Sequence, residues 1–180
     1  NRHARRLSDV EKDDVGMTKL NRIDARALLH DVAEFIWAEA DLLDRKDYDD
    51  WLALWLPDGH YTLPIGDTED FDNALNLCHD NAHMRRERIV RFQQGFSISS
   101  APPARTIRTV SRFVIEKAEG DTITVRSAEH VIEDKFGRQR VWAADMLHTL
   151  VRTDDGFRIR DKVVRILNSD GMLNSFSYLF

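Results

Sequence analysis

Apolar residues between Asp24 and Arg45 recur at the spacing of one helix face. Leu28, Leu29, Val32, Ala33, Phe35, Ile36, Ala40, Leu42 and Leu43 fall on one broad arc at about 100° per residue, and Asp24 is a suitable N-cap. So wide an arc predicts a well-buried helix. Trp51, Leu52 and Trp55 share one side of a second, short helix predicted over residues 48–56, which Pro57-Asp58-Gly59 would end. His60 to Ile65 then reads as a first strand. Helical spacing returns between Asp70 and Gln94, with Phe71, Leu75, Cys78, Ala82 and Ile89 on one arc, before an uncharged linker from Gly95 to Ala104.

Beyond Arg105 the period changes. Strands are predicted over residues 107–117, 123–134, 140–152 and 157–167, separated by the polar turns Glu119-Gly120-Asp121, Gly137-Arg138 and Asp154-Asp155-Gly156. Short turns between long strands make antiparallel neighbours, hence a meander. Helices first and a meander after them give an α+β layout, with helices on one face of a curved sheet and a concave pocket between the layers. The apolar stretch Leu173–Phe180 is expected to add a last strand or to dock on a partner. The charged residues 1–23 are expected to form a mobile arm ahead of a single domain spanning 24–180.

Composition narrows the function. A net charge of −5 argues against non-specific nucleic-acid binding, which needs a basic excess. No apolar stretch approaches the roughly 18 residues of a membrane span. The first twenty residues lack the apolar core of a secretory signal, so the expected address is cytoplasmic. The single cysteine, Cys78, excludes an intrachain disulfide and a cysteine-ligated cluster, and it lies within an apolar arc as an inert thiol.

Several side chains carry candidate chemistry. His79, His83 and Glu87 stand at helical spacing, but the pattern lacks the glutamate of a helical zinc motif, and a solvated helix flank is the preferred reading over a metal site. Glu39 lies inside the apolar arc of the first helix. A buried carboxylate there is either a general acid–base group or one half of a structural ion pair, for which Arg105 is the expected partner. On the third meander strand Val141, Ala143, Asp145, Leu147, Thr149 and Val151 form the more apolar, expected inner face, which places Asp145 near Tyr61 in the pocket. The opposite face, with Trp142 and His148, is then expected to meet a partner. The basic run Arg85, Arg86, Arg88 and Arg91 is either a solvated face or a docking surface. Trp142, Phe176, Tyr178 and Phe180 are aromatic anchors of the kind found in permanent interfaces.

Taken together these stretches resemble one family. Glu39-Ala40-Asp41-Leu42-Leu43-Asp44, Trp51-Leu52, Asp58-Gly59-His60-Tyr61, then Asp80, Arg85, Arg88 and Ile89 are similar to the small (beta) subunit of aromatic-ring-hydroxylating dioxygenases. Ala101-Pro102-Pro103-Ala104-Arg105-Thr106 and the closing Gly-Phe-Arg-Ile strand with its Phe-terminated tail continue the likeness, which covers roughly residues 30–180. Ile107-Arg108 and Arg112 depart from the family's usual residues. The resemblance implies a cone-shaped fold of the nuclear transport factor 2-like type. It also implies a chain that is not itself catalytic and binds neither cofactor nor metal, three copies of which support three large (alpha) subunits and contact one another. The Rieske two-iron two-sulfur cluster and the non-haem Fe(II) are then expected on the large subunit. Arg85, Arg88, Trp142, His148 and Phe180 are the expected interface residues. The alternative reading is a free-standing dehydratase or isomerase working through Glu39, Tyr61 and Asp145; a ligand-binding dimer without chemistry is a third.

Overall fold

A computed structural model describes residues 22–94, 103–169 and 176–180. Three helices, α1 (Arg22–Arg45), α2 (Tyr48–Ala53) and α3 (Ala82–Gln93), accompany six strands. The strands are β1 (Trp55–Pro64), β2 (Asn76–Asp80), β3 (Arg105–Glu119), β4 (Thr122–Lys135), β5 (Arg138–Thr153) and β6 (Gly156–Ile166). They form one sheet in the order β2-β1-β6-β5-β4-β3. β3 to β6 are the expected antiparallel meander, and β1 joins its β6 edge as a parallel neighbour.

The sheet bends because its register slips. Bulges in β3 between Ser111 and Val114 and at the β5–β6 pairing beside Thr149 add residues to one strand only, which kinks it and increases its twist. Arg112 takes the left-handed conformation within the first of these, at φ 55°. α1 fills the concavity with Leu28, Val32, Ile36, Ala40 and Leu43, all buried. Its outer edge is pinned where the Trp37 indole donates to the Val110 carbonyl at 2.9 Å.

Four local expectations give way. The second helix stops at Ala53, and Pro57-Asp58-Gly59 lies within β1 as an irregularity between Trp55 and His60. Gly59 permits this: a Cβ there would lie 2.1 Å from the Arg160 carbonyl oxygen on β6. The helix expected from Asp70 is instead the short strand β2 followed by α3, whose N-cap Asn81 accepts from the Met84 amide at 3.1 Å. A segment of five residues with only Leu77 and Cys78 apolar is too short to fix a period, and pairing of β2 with β1 decides the matter. His79 therefore sits on a strand and His83 on a helix, so the two do not share a helix face.

The faces of β5 are also reversed. Ala144, Met146, His148 and Leu150 are buried, whereas Asp145 lies on the outer face. With a period of two, a one-residue error turns every side chain over. The polar His148 disguised the inner face. Lastly, residues 176–180 add no strand but pack back on their own domain, leaving Tyr178, Leu179 and Phe180 buried. The expected arm lies outside the described residues up to position 21, and so do linker residues 95–102.

Candidate functional site

The concave interior holds a charged cluster built from three elements. Glu39 projects from α1, and His148 and Lys162 are register partners on β5 and β6. Glu39 is 1% exposed and its carboxylate is fully engaged. Oε1 accepts from the Lys162 ammonium at 2.7 Å and the Trp51 indole at 3.0 Å, and Oε2 faces His148 Nε2 at 2.9 Å. Burial alone would raise the Glu39 pKa, but Lys162 and His148 outweigh it and hold the group well below the usual carboxylate range. His148 Nδ1, also buried, has no hydrogen-bond partner among the described residues. The Lys162 ammonium is the lysine or arginine cation that pairs with Glu39. The expected partner, Arg105, is exposed, because on β3 the inward positions are its neighbours Thr106 and Arg108.

Arg108, like Lys162, is a residue that sequence reasoning missed. It was visible only as a departure from the family pattern, although its alternation with Thr106 and Val110 marks it as inward-facing. Its guanidinium contacts Asp44 of α1, Thr106 Oγ1 at 3.0 Å and the Leu179 carbonyl, and its Nε lies 3.3 Å from Glu129 on β4. Its amide donates to Asp44 Oδ2 at 2.8 Å. One side chain thereby ties helix, sheet and tail together. Burial raises the Glu129 pKa, and the nearby Lys162 and Arg108 offset only part of that rise.

The tail closes the cone. The Phe180 amide donates to Tyr61 Oη at 2.9 Å, and the Tyr178 hydroxyl donates to Glu133 at 2.6 Å. Tyr61 is buried, edge-to-face with both Trp51 and Trp55, and burial lifts its phenol well above the ordinary value. Beside the tail remains a cleft of about 110 Å³ lined in part by Leu63, Cys78, Arg88 and Phe176. Ligand pockets for drug-sized molecules run to roughly 300–1,000 Å³, so this one is small. Burial pushes the Cys78 thiol up to about 12, which leaves it protonated.

Of the three alternative catalytic residues, Glu39 and Tyr61 both touch Trp51, but Asp145 is on the far side of the sheet. There it pairs with Arg112 and lies 3.8 Å from Arg126. The three do not converge. Among the described residues no group of three His, Cys, Asp or Glu side chains could hold a metal ion. His79 is instead engaged by Thr62 Oγ1 at 2.9 Å and Asp72 at 3.3 Å.

The expected interface residues separate. Phe180, His148 and Arg85 are 0%, 1% and 2% exposed and present no surface to a partner. Arg85 stacks its guanidinium 4.1 Å from the centre of the Trp55 ring and donates to the carbonyls of Gly59 and Asp80. Burial lowers its pKa to about 10, which still leaves it charged. Arg88 grips Asp80 with two bonds, at 2.5 and 3.0 Å, and keeps an exposed edge. Trp142 is half-buried, with its indole donating to Glu133 at 3.2 Å and its ring edge-to-face with Phe176.

Comparison with known proteins places this architecture. The family model for the ring hydroxylating beta subunit matches residues 38–170. The chain belongs to that family. The beta subunit of benzene 1,2-dioxygenase from Pseudomonas putida is 30% identical over 169 residues, covering 87% of this chain and 90% of that protein. Among solved structures, the beta subunit of benzoate 1,2-dioxygenase from Burkholderia mallei superposes with a TM-score of 0.66 at 22% identity, over 91% of this chain and 100% of the other. An NTF2-like protein with a cystatin-like fold from Novosphingobium aromaticivorans gives 0.57 at 20% identity, over 88% and 95%. The ring-hydroxylating beta subunit described above thus has the α+β, nuclear transport factor 2-like fold that its sequence implied.

Proposed function

We propose that this chain is the non-catalytic small subunit of a multicomponent aromatic-ring-hydroxylating dioxygenase, assembled three-and-three with a large subunit in the cytoplasm. Its role is to hold large subunits in place while they insert dioxygen into an aromatic ring as a cis-dihydrodiol.

The observation that carries this reading is the closure of the cone. An acid–base catalyst needs an unengaged group facing a space that substrate can enter. Here the Glu39 carboxylate is bound on both oxygens, the Tyr61 hydroxyl is taken by Phe180, and the tail occupies the mouth. Nor can this chain supply a Rieske centre, which takes two cysteines and two histidines, since the sequence has one cysteine. That cluster and the non-haem iron, which supply the electron and oxygen chemistry, belong to the larger partner.

The test is purification of this chain, tagged, from its host. Expected is a coloured complex with about equal amounts of a larger, cysteine- and histidine-bearing chain. A colourless species lacking that partner, whose own turnover disappears in Glu39→Gln at unchanged thermal midpoint, would overturn the reading in favour of the free-standing enzyme.

A further inference from the structure

We infer that the cleft between the C-terminal tail, β1, β2 and α3 binds a small monocarboxylate, taking its carboxylate on the outer corner of the Arg88 guanidinium and enclosing a branched or cyclic body of about four or five carbons. This goes beyond the proposed assembly role and does not depend on it.

The walls decide what the body must be. Leu63 of β1, Leu77 of β2 and Phe176 and Leu179 of the tail surround a space of about 110 Å³. Tyr61, Cys78 and Tyr178 also reach it, and burial raises all three above their ordinary values, so none is an anion at neutral pH. The Tyr61 oxygen already receives the Phe180 amide, and the Tyr178 hydroxyl is spent on Glu133. A polar body would therefore find no partners here, and burying it would cost more than burying hydrocarbon. An apolar cavity of about 150 Å³ holds benzene, with its six carbons; in proportion, this one holds about four or five.

The charge decides the rest. Among the described residues that line the cleft, Arg88 alone carries one. Asp80, 1% exposed, takes its Nε and Nη2 through bonds of 2.5 and 3.0 Å, which fixes the plane of the guanidinium on that side. The Nη1 corner has no hydrogen bond among the described residues, and the side chain is 24% exposed. Arg85, buried, donates to the Asp80 carbonyl, so two guanidiniums share one buried carboxylate. Asp80 and Asp161 act on this pair of arginines, and Arg86 adds a third cation, which leaves the corner one positive charge in excess. A carboxylate at Nη1 completes the planar fork without displacing Asp80.

The site is also tied to the tail. Phe176, Tyr178 and Leu179 form one side of it, and the tail is held by the Phe180 and Tyr178 hydrogen bonds. A ligand in the cleft adds apolar contact to that segment, so occupancy should steady residues 176–180.

The experiment is isothermal titration of the protein as purified from its host, with any partner it carries, using isovalerate as the probe. Isovalerate should saturate with a Kd of about 1 mM. Acetate, which lacks the body, and isovaleramide, which lacks the charge, should each bind at least about tenfold more weakly. Leu77→Trp sets a larger ring into the cleft from a half-buried position and should abolish isovalerate binding at an unchanged thermal midpoint. Arg88→Lys keeps a cation for Asp80 but loses the fork, so it should weaken isovalerate at least about tenfold and leave isovaleramide unchanged. In hydrogen exchange read by mass spectrometry, isovalerate should slow the amides of residues 176–180 in the wild type. No saturation by about 10 mM overturns the site. Equal affinity for acid and amide overturns the role of Arg88. Binding that survives a folded Leu77→Trp overturns the location, by giving the acid to another surface or to a larger partner. Should Leu77→Trp not fold, unchanged isovalerate affinity in Arg88→Lys, or unchanged exchange over 176–180, overturns the inference in its place. The assembly role is read separately, from the identity of the co-purified chain.

Discussion

Replacing Glu39 by glutamine tests what the interior cluster does. The substitution keeps size and one acceptor oxygen but removes the charge from a site where Lys162 and His148 both press against it. Lys162, 2% exposed, would lose the carboxylate it donates to and keep only the electrostatic influence of Glu129 among the described carboxylates. Breaking a buried pair by removing one partner costs about 3–5 kcal/mol, out of a total stability of roughly 5–15 kcal/mol for a domain. At about 2–4 °C per kcal/mol for a chain of this size, Tm should fall by roughly 6–20 °C at pH 7. The assay is thermal and urea unfolding followed by circular dichroism. Its control is the double variant Glu39→Gln/Lys162→Met, which removes both charges, keeps the lysine's stem volume and should recover at least about 1 kcal/mol relative to additivity. The pH dependence has a definite sign. The folded-state pKa of Glu39 is depressed below its ordinary value of 4.5. Its contribution is therefore present above pH 4.5 and is lost as pH falls toward the folded value, so the gap between wild type and variant should narrow on acidification. A loss at neutral pH under about 1 kcal/mol, or a double variant that loses the sum of the singles, would refute the argument that this cluster is a mutually dependent structural unit.

Three further outcomes follow from the same geometry. Gly59→Ala should cost about 3 kcal/mol, because its Cβ would collide with the Arg160 backbone and part β1 from β6; urea unfolding measures it, and a neutral result would mean the strands separate freely. Tyr178→Phe removes one of the two hydrogen bonds that the buried Glu133 carboxylate accepts among the described residues and should cost about 1–3 kcal/mol, with faster amide exchange over residues 176–180 as the sign that the tail has loosened. Glu129→Gln should behave oppositely to Glu39→Gln: burial raises this carboxyl, so the wild type loses stability as pH rises through the window between the ordinary and the raised value, and the variant should gain on the wild type across it in a pH series of Tm.

How far the sequence could be read depended on which period was locally unambiguous. The meander was legible because long alternating runs met at Gly- and Asp-bearing turns, and α1 because its arc spans several turns. β2 was hidden because a five-residue segment with only Leu77 and Cys78 apolar is too short to show a period, and only its pairing with β1 decides. The site failed differently. Glu39 stood out as a carboxylate within an apolar stripe, but its cation lies 123 positions away on β6, a separation that local pattern cannot see. His148 misled actively. Together with Arg140 and Arg152 it lent a polar look to the inner face of β5, which exchanged the inner and outer sides of the strand, carrying Asp145 into the pocket and Trp142 out of it. Arg85 and Phe180 were assigned to the surface by residue type, whereas each is held inward by a hydrogen bond, Arg85 to the Gly59 carbonyl and the Phe180 amide to the Tyr61 hydroxyl.

The arrangement also indicates how a cone with charged walls can serve without chemistry. An enclosed Glu–His–Lys set resembles catalytic equipment, and in an open pocket it would be a candidate for it. Two features separate this molecule from that outcome. Both oxygens of Glu39 are hydrogen-bonded and the group is 1% exposed, so a substrate cannot reach it, and its depressed pKa makes it a weaker base than an ordinary carboxylate. Access is removed as well, since Arg108 holds the Leu179 carbonyl and Tyr61 holds the Phe180 amide across the mouth. The same charges that could act on a substrate in an open cone therefore act on the chain itself, fixing α1, β3, β6 and the tail in one register. That rigidity suits a support, because an outer surface stays constant only if the strands behind it do not shift. Loosening the interior by Glu39→Gln should then weaken assembly with the proposed large subunit modestly and in step with lost stability, and a titration that shows full loss of stability with unchanged assembly would refute the link.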